Sequence, residues 1–152
     1  MVLKTLIFCS LLFLCVIISY QDFKSRLISV WAIILYFFCC ILKVLFFENL
    51  YSLLNNSIGA ILYISFITLL LFGFYFVKER KFVNIIDSKI GLGDLLVFLA
   101  IGFTLELITL ILFFTVTFSI SAIVGLLLAR QNKTIPLAGI LVCCHFCLLL
   151  LL

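Results

Sequence analysis

The sequence predicts an all-α integral membrane protein: a bundle of about six transmembrane helices forming one domain over residues 1–152. Three observations predict it. First, 68% of the 152 residues are apolar and 11% are charged, with a mean hydropathy of +1.53; a soluble domain averages about 45–50% and about 25%. A soluble globule of this size has too little interior for that much apolar surface. Second, the charges punctuate long apolar runs and do not alternate with them, which argues against transmembrane β-strands. Third, six spans of about 20 residues would use about 120 and leave about 30 for every loop and tail, so no soluble domain is expected. A net charge of +4 without a basic stripe excludes a nucleic-acid partner. One Pro and seven Gly exclude a low-complexity linker.

Each element follows from the spacing of the charges. The first uncharged run, Thr5 to Gln21, reads as the first helix. Lys4 before it gives the run the look of a signal peptide. However, Ile18-Ser19-Tyr20 sets a bulky residue where cleavage needs a small one, so the helix is expected to stay attached. Gln21 to Arg26 forms a polar connector containing Asp22. Leu27 to Phe47 is the second run, interrupted by Lys43, and Glu48-Asn49 is the tight turn after it. Tyr51 to Val77 is the third. A long connector from Lys78 to Lys89 carries Glu79, Arg80, Lys81 and Asp87. Gly91-Leu92-Gly93-Asp94 opens the fourth run, which ends near Glu106, and Leu107 to Ala129 is the fifth. Arg130 to Lys133 is another basic connector. The last helix starts near Thr134-Ile135-Pro136, with Thr134 as N-cap and Pro136 in the first turn, where its missing N–H costs nothing.

The basic residues set the orientation. Lys24, Arg26, Lys78, Arg80, Lys81, Lys89, Arg130 and Lys133 fall in the connectors after the odd-numbered helices, against Lys4 and Lys43 on the other side. The positive-inside bias places those connectors in the cytoplasm and both termini outside.

Two acids then share the cytoplasmic face. Asp94 has only eleven uncharged residues between it and Glu106. These span about 17 Å against a hydrocarbon core of roughly 30 Å. Either the fourth helix is short or Asp94 lies below the membrane surface. A carboxylate there costs about 2.5–3.5 kcal/mol at the helix centre and normally faces the bundle. Gly91 and Gly93 let the backbone bend or approach a neighbour closely. If Asp22 meets Asp94, one of the pair keeps a proton while the other stays anionic. Such a pair can activate water and protonate a peptide carbonyl without a covalent intermediate. The bland alternatives are a loop acid paired with Lys24 or Arg26 for Asp22, and a helix N-cap for Asp94.

Together these residues resemble a known family. Gly91-Leu92-Gly93-Asp94 is a GxGD motif opening a membrane helix, Asp22 follows the first helix, and Lys133-Thr134-Ile135-Pro136-Leu137-Ala138-Gly139 enters the last. The chain is similar to the type IV prepilin leader peptidases, membrane aspartic proteases of the GxGD type, and to their compact single-domain members. The resemblance implies Asp22 and Asp94 as the catalytic pair, with Gly91 and Gly93 as motif support. It implies a prepilin-like substrate of pili or secretion systems, with a short basic leader before an apolar helix. Cleavage would occur at the cytoplasmic face of the plasma (inner) membrane, and no metal or organic cofactor is implied. Two positions depart from the family pattern. Ile28-Ser29-Val30 stands where an Ile-Pro-Asn is common, and Leu96 where a Lys is common two residues after the second Asp. The cysteine-bearing region and N-methyltransferase activity of larger members have no room here, so peptidase activity alone is expected.

Other residues carry weaker signals. The seven cysteines, Cys9, Cys15, Cys39, Cys40, Cys143, Cys144 and Cys147, all lie in apolar runs and read as packing residues. Cys143 and Cys147 share a helix face from which His145 points away, so the cluster is a poor metal site. Asp87 reads as a solvated acid near Lys89, Glu48 and Glu106 as helix-end markers, and Asn55 and Asn56 as interhelical hydrogen-bond formers. Basic connectors suit contact with anionic membrane lipid. Two further classes compete: a small transporter or channel subunit with intramembrane carboxyls, and a peptidase-like scaffold that has lost activity, motivated by Val30 and Leu96.

Overall fold

The computed structural model describes residues 2–25, 27–80, 91–129 and 136–151. Its helices, in chain order, are α1 (Val2–Ser25), α2 (Val30–Phe47), α3 (Leu50–Glu79), α4 (Leu92–Gly102), α5 (Leu107–Ala129) and α6 (Leu137–Leu151). The chain is an all-α membrane protein, as its composition requires: in lipid a helix satisfies its own backbone hydrogen bonds. α1, α2, α3 and α5 are long and apolar enough to cross a membrane alone, whereas α4 and α6 are shorter apolar helices.

Side chains explain where the helices begin and end. α1 does not stop at Gln21 but runs on to Ser25. Asp22 is therefore a helical residue and not part of a connector, which corrects the expectation from the charge spacing. The last turns hold because Lys24 Nζ donates to Tyr20 Oη (3.0 Å) and Ser25 Oγ to the Gln21 carbonyl (2.8 Å), and a cation suits a helix C-terminus. Gln21 Oε1 then accepts the Ser29 N–H at 3.0 Å and closes the turn into α2, which starts at Val30, not Leu27. Glu48 ends α2, and Asn49 caps α3 by accepting the Ser52 N–H at 2.7 Å. α3 ends at Arg80, the one described non-glycine residue at positive φ, 51°. Pro136 stands just before α6, and its carbonyl accepts the Ile140 N–H at 3.1 Å. The expected Thr134 cap, Arg26, and the connector residues Lys81, Asp87, Lys89, Arg130 and Lys133 lie outside the described residues.

The two short helices sit where the packing converges. α6 packs against α1, α4 and α5, and α4 against α2, α3 and α6. Leu11, Ile18, Val97, Ile101, Leu110, Phe114 and Leu141 form their shared core. α3 is the peripheral helix, with only 6% of its most apolar stretch buried. Gly102 allows α4 to cross α3 closely: a Cβ there would lie 2.6 Å from the Ala60 Cβ. Phe13, Trp31, Leu62 and Leu126 are all exposed on the outside. In water such a surface would drive aggregation; against acyl chains it is the solvated one.

Candidate active site

The site is assembled by the first turn of α6. The opening amides of any helix lack intrahelical acceptors. Here two of them, on consecutive residues, are taken by carboxylates from two other helices. The Ala138 N–H donates to Asp94 Oδ1 at 3.1 Å and the Gly139 N–H to Asp22 Oδ2 at 2.6 Å. Asp22 comes from the end of α1 and Asp94 from the start of α4. The carboxylates are thus held at neighbouring backbone positions, close enough for Asp94 to feel the charge of Asp22. The positive end of the α6 dipole offsets part of their repulsion.

Each acid has a local reason for its place. Gly91 is the N-cap of α4 and Asp94 its third residue. Asp94 is therefore not the N-cap. It reaches back to the Gly91 N–H in the manner of the acidic residue of a capping box. The same side chain thus caps its own helix and ties it to α6. Asp22 is 6% exposed, so the picture of a solvated loop acid does not hold. Lys24, offered as its partner, is bound to Tyr20 instead.

The glycines act through space. No described glycine has positive φ, and Gly91 sits in ordinary extended backbone (φ −66°, ψ 139°). The conformational freedom expected at Gly91 and Gly93 is not used. A Cβ on Gly91 would lie 3.3 Å from Asp94 Oδ2, and one on Gly93 only in normal contact, 3.5 Å from Ile33 Cδ1. The tightest glycine of the site is Gly139. A Cβ there would meet Asp22 Oδ2 at 3.0 Å, Phe23 Cε2 at 3.1 Å and Asp22 Cβ at 3.2 Å. Its bare backbone lets α1 approach closely enough for the short amide–carboxylate bond.

Sequence reasoning placed both acids on one face and noted the segment through Gly139. It did not identify the Ala138 and Gly139 amides as their donors, because backbone donors carry no residue signature. It also missed a second polar tier deeper in the bundle. There Tyr36 of α2, Thr104 after α4 and His145 of α6 meet, all buried. Cys143 and Cys147 are exposed while His145 is wholly buried, as their helical spacing requires. Asn56 is buried and its Nδ2 donates at 3.4 Å to the carbonyl of Phe103, in the turn after α4 and not in a helix, while Asn55 is exposed.

The fold and site define a class: a multi-pass membrane protein with two acids gathered at one helix end of a lipid-facing bundle. A family model described as the type IV leader peptidase family matches residues 9–126, and the chain belongs to that family. It is accordingly a peptidase, and the matched segment contains Asp22 and the Gly91–Asp94 motif. A search of curated proteins and of solved structures finds no match to the chain.

Proposed function

We propose that the protein is an aspartic endopeptidase that removes the short basic leader from prepilin-like substrates at the cytoplasmic membrane face, with Asp22 and Asp94 as its catalytic pair. One observation carries the reading: two acids far apart in sequence accept hydrogen bonds from consecutive amides of α6. Brought within hydrogen-bond range of each other, two such acids share one proton and titrate as a unit. The anionic partner takes a proton from water as the water oxygen bonds to the scissile carbonyl carbon. The neutral partner gives its proton to the carbonyl oxygen. The tetrahedral diol then gives a hydroxyl proton to the acid now anionic, the other acid protonates the nitrogen, and the C–N bond breaks to release the carboxylic acid and the amine. The two acids finish with one proton between them, as they began, and neither is assigned a fixed role.

The surroundings suit an apolar substrate. A cavity of about 120 Å³ is lined by Leu95 and Leu137, the chain neighbours of Asp94 and Ala138, with Tyr63, Phe98, Phe114 and Phe118. The orientation rests on the basic connectors. Leader cleavage of a co-expressed prepilin tests the reading. Asp22→Asn and Asp94→Asn should each reduce it by about 10²–10⁴-fold while the protein still accumulates in the membrane. Full cleavage by both single variants would refute it.

A further inference from the structure

His145 is the one described histidine, it is wholly buried, and the chemistry above does not use it. Both of its ring nitrogens are engaged. Nδ1 lies 2.5 Å from Tyr36 Oη and Nε2 3.2 Å from Thr104 Oγ1. The proton positions follow from the neighbours. Thr104 Oγ1 donates to the Ile101 carbonyl at 2.7 Å, which commits its one proton. It can only accept from the ring, so Nε2 carries the hydrogen and Nδ1 accepts the Tyr36 O–H. The thiols of Cys15 and Cys40 stand near the Tyr36 hydroxyl. One directed chain therefore runs from α2 through α6 to the turn after α4. Asn56 of α3 holds the same turn at the Phe103 carbonyl.

The bonds matter because α6 otherwise has little to fix its rotation. Its sequence, LAGILVCCHFCLLLL, is apolar all round. In lipid, apolar surface gains nothing by facing protein over acyl chain, so packing alone discriminates weakly between helix rotations. Directional bonds to a buried polar residue do discriminate, as a buried Asn sets register in a coiled coil. His145 lies six residues beyond Gly139, about 9 Å along the axis and about a third of a turn around it. Bonds at His145 in one direction and carboxylates at Ala138 and Gly139 in another hold the helix at two heights and two azimuths.

We propose that His145, bonded to Tyr36 and Thr104, is a positioning residue that sets the rotation and register of α6 and so aims the Ala138 and Gly139 amides at the two acids. Its kinetic consequence rests on the peptidase reading; its structural consequence does not. The test uses the full chain in lipid nanodiscs and three variants. His145→Phe keeps the ring but orphans the Tyr36 hydroxyl. The triple variant Tyr36→Phe, Thr104→Val, His145→Phe removes the orphaned groups, so stability should return. His145→Gln retains a donor and an acceptor. Cleavage kinetics on a prepilin are read together with thermal stability and the Gly139 amide resonance of [¹⁵N]glycine-labelled protein, assigned by its loss in Gly139→Ala. In the triple variant kcat should stay about tenfold or more below wild type, with KM little changed, a displaced Gly139 resonance and restored melting temperature. His145→Gln should recover part of both kcat and the resonance position. A triple variant with wild-type kcat, or with an unmoved Gly139 amide, would overturn the assignment. If both Asp→Asn variants still cleave, the peptidase reading fails, and the Gly139 resonance still decides the role of His145.

Discussion

Single atoms decide this site. The hydrogen of Gly139 in place of a methyl lets α1 approach closely, and the Asp22 carboxylate occupies the space a side chain would fill. The three glycines near the acids should therefore respond to alanine in a definite order. Gly139→Ala should depress kcat most, by about tenfold or more, because carboxylate and backbone-proximal atoms both crowd the new methyl. Gly91→Ala should have a smaller effect, since only the Asp94 carboxylate is near and can shift by a few tenths of an ångström. Gly93→Ala should be close to wild type. Initial rates of leader cleavage at saturating substrate check the order. Much of this was hidden in the sequence. The GxGD spelling pointed to Asp94 and its glycines and left open either a bent backbone or a close approach. The structure uses ordinary backbone conformations, and what matters is the room a missing Cβ leaves.

The helices themselves differ in how far the sequence exposed them. Apolar runs bounded by charge located the six helices of the described residues, with ends shifted by a few residues. One shift was instructive. Polar residues after Gln21 look like a connector, yet Asp22 and its neighbours stay helical because each side chain finds a partner within the helix or across to α6. Charge marks water only when nothing in the fold answers it. Two predictions belong here. Asn49→Ala removes the α3 N-cap bond and should destabilise the protein by about 1 kcal/mol, read as a lower melting temperature in detergent with kcat unchanged. Gly102→Ala should cost about 1–3 kcal/mol, because its methyl would sit 2.6 Å from the Ala60 Cβ. Combining it with Ala60→Gly should restore most of the loss. A double variant no more stable than Gly102→Ala alone would show that the α3–α4 crossing does not limit stability.

At the scale of the whole molecule, lipid replaces water as the medium around the bundle, and polar groups gather at a few internal points. One is the acid pair under α6 and another is the His145 chain about 9 Å deeper by helix rise. α4 and α6 are the short helices, and both begin at the acids. A helix that starts late can open its first amides inside the bundle, where those of α6 meet both acids. The charge asymmetry predicts that reporter fusions at the C-terminus lie outside the cytoplasm, which a paired periplasmic and cytoplasmic reporter assay reads directly. A cytoplasmic C-terminus would reverse the face assigned to the site.

By itself the sequence determined the medium, the described helices and the two acids worth watching, because hydropathy and charge spacing act locally along the chain and leave their mark there. Only the tertiary structure decided that α6 would bring consecutive amides to both acids and that α1 would pack closely against Gly139. It likewise decided that His145 would turn inward to Tyr36 and Thr104. The physical reason is that a backbone N–H is the same in every residue but proline. Which carboxylate it meets depends on how helices distant in sequence pack and rotate against one another, and no local pattern encodes that.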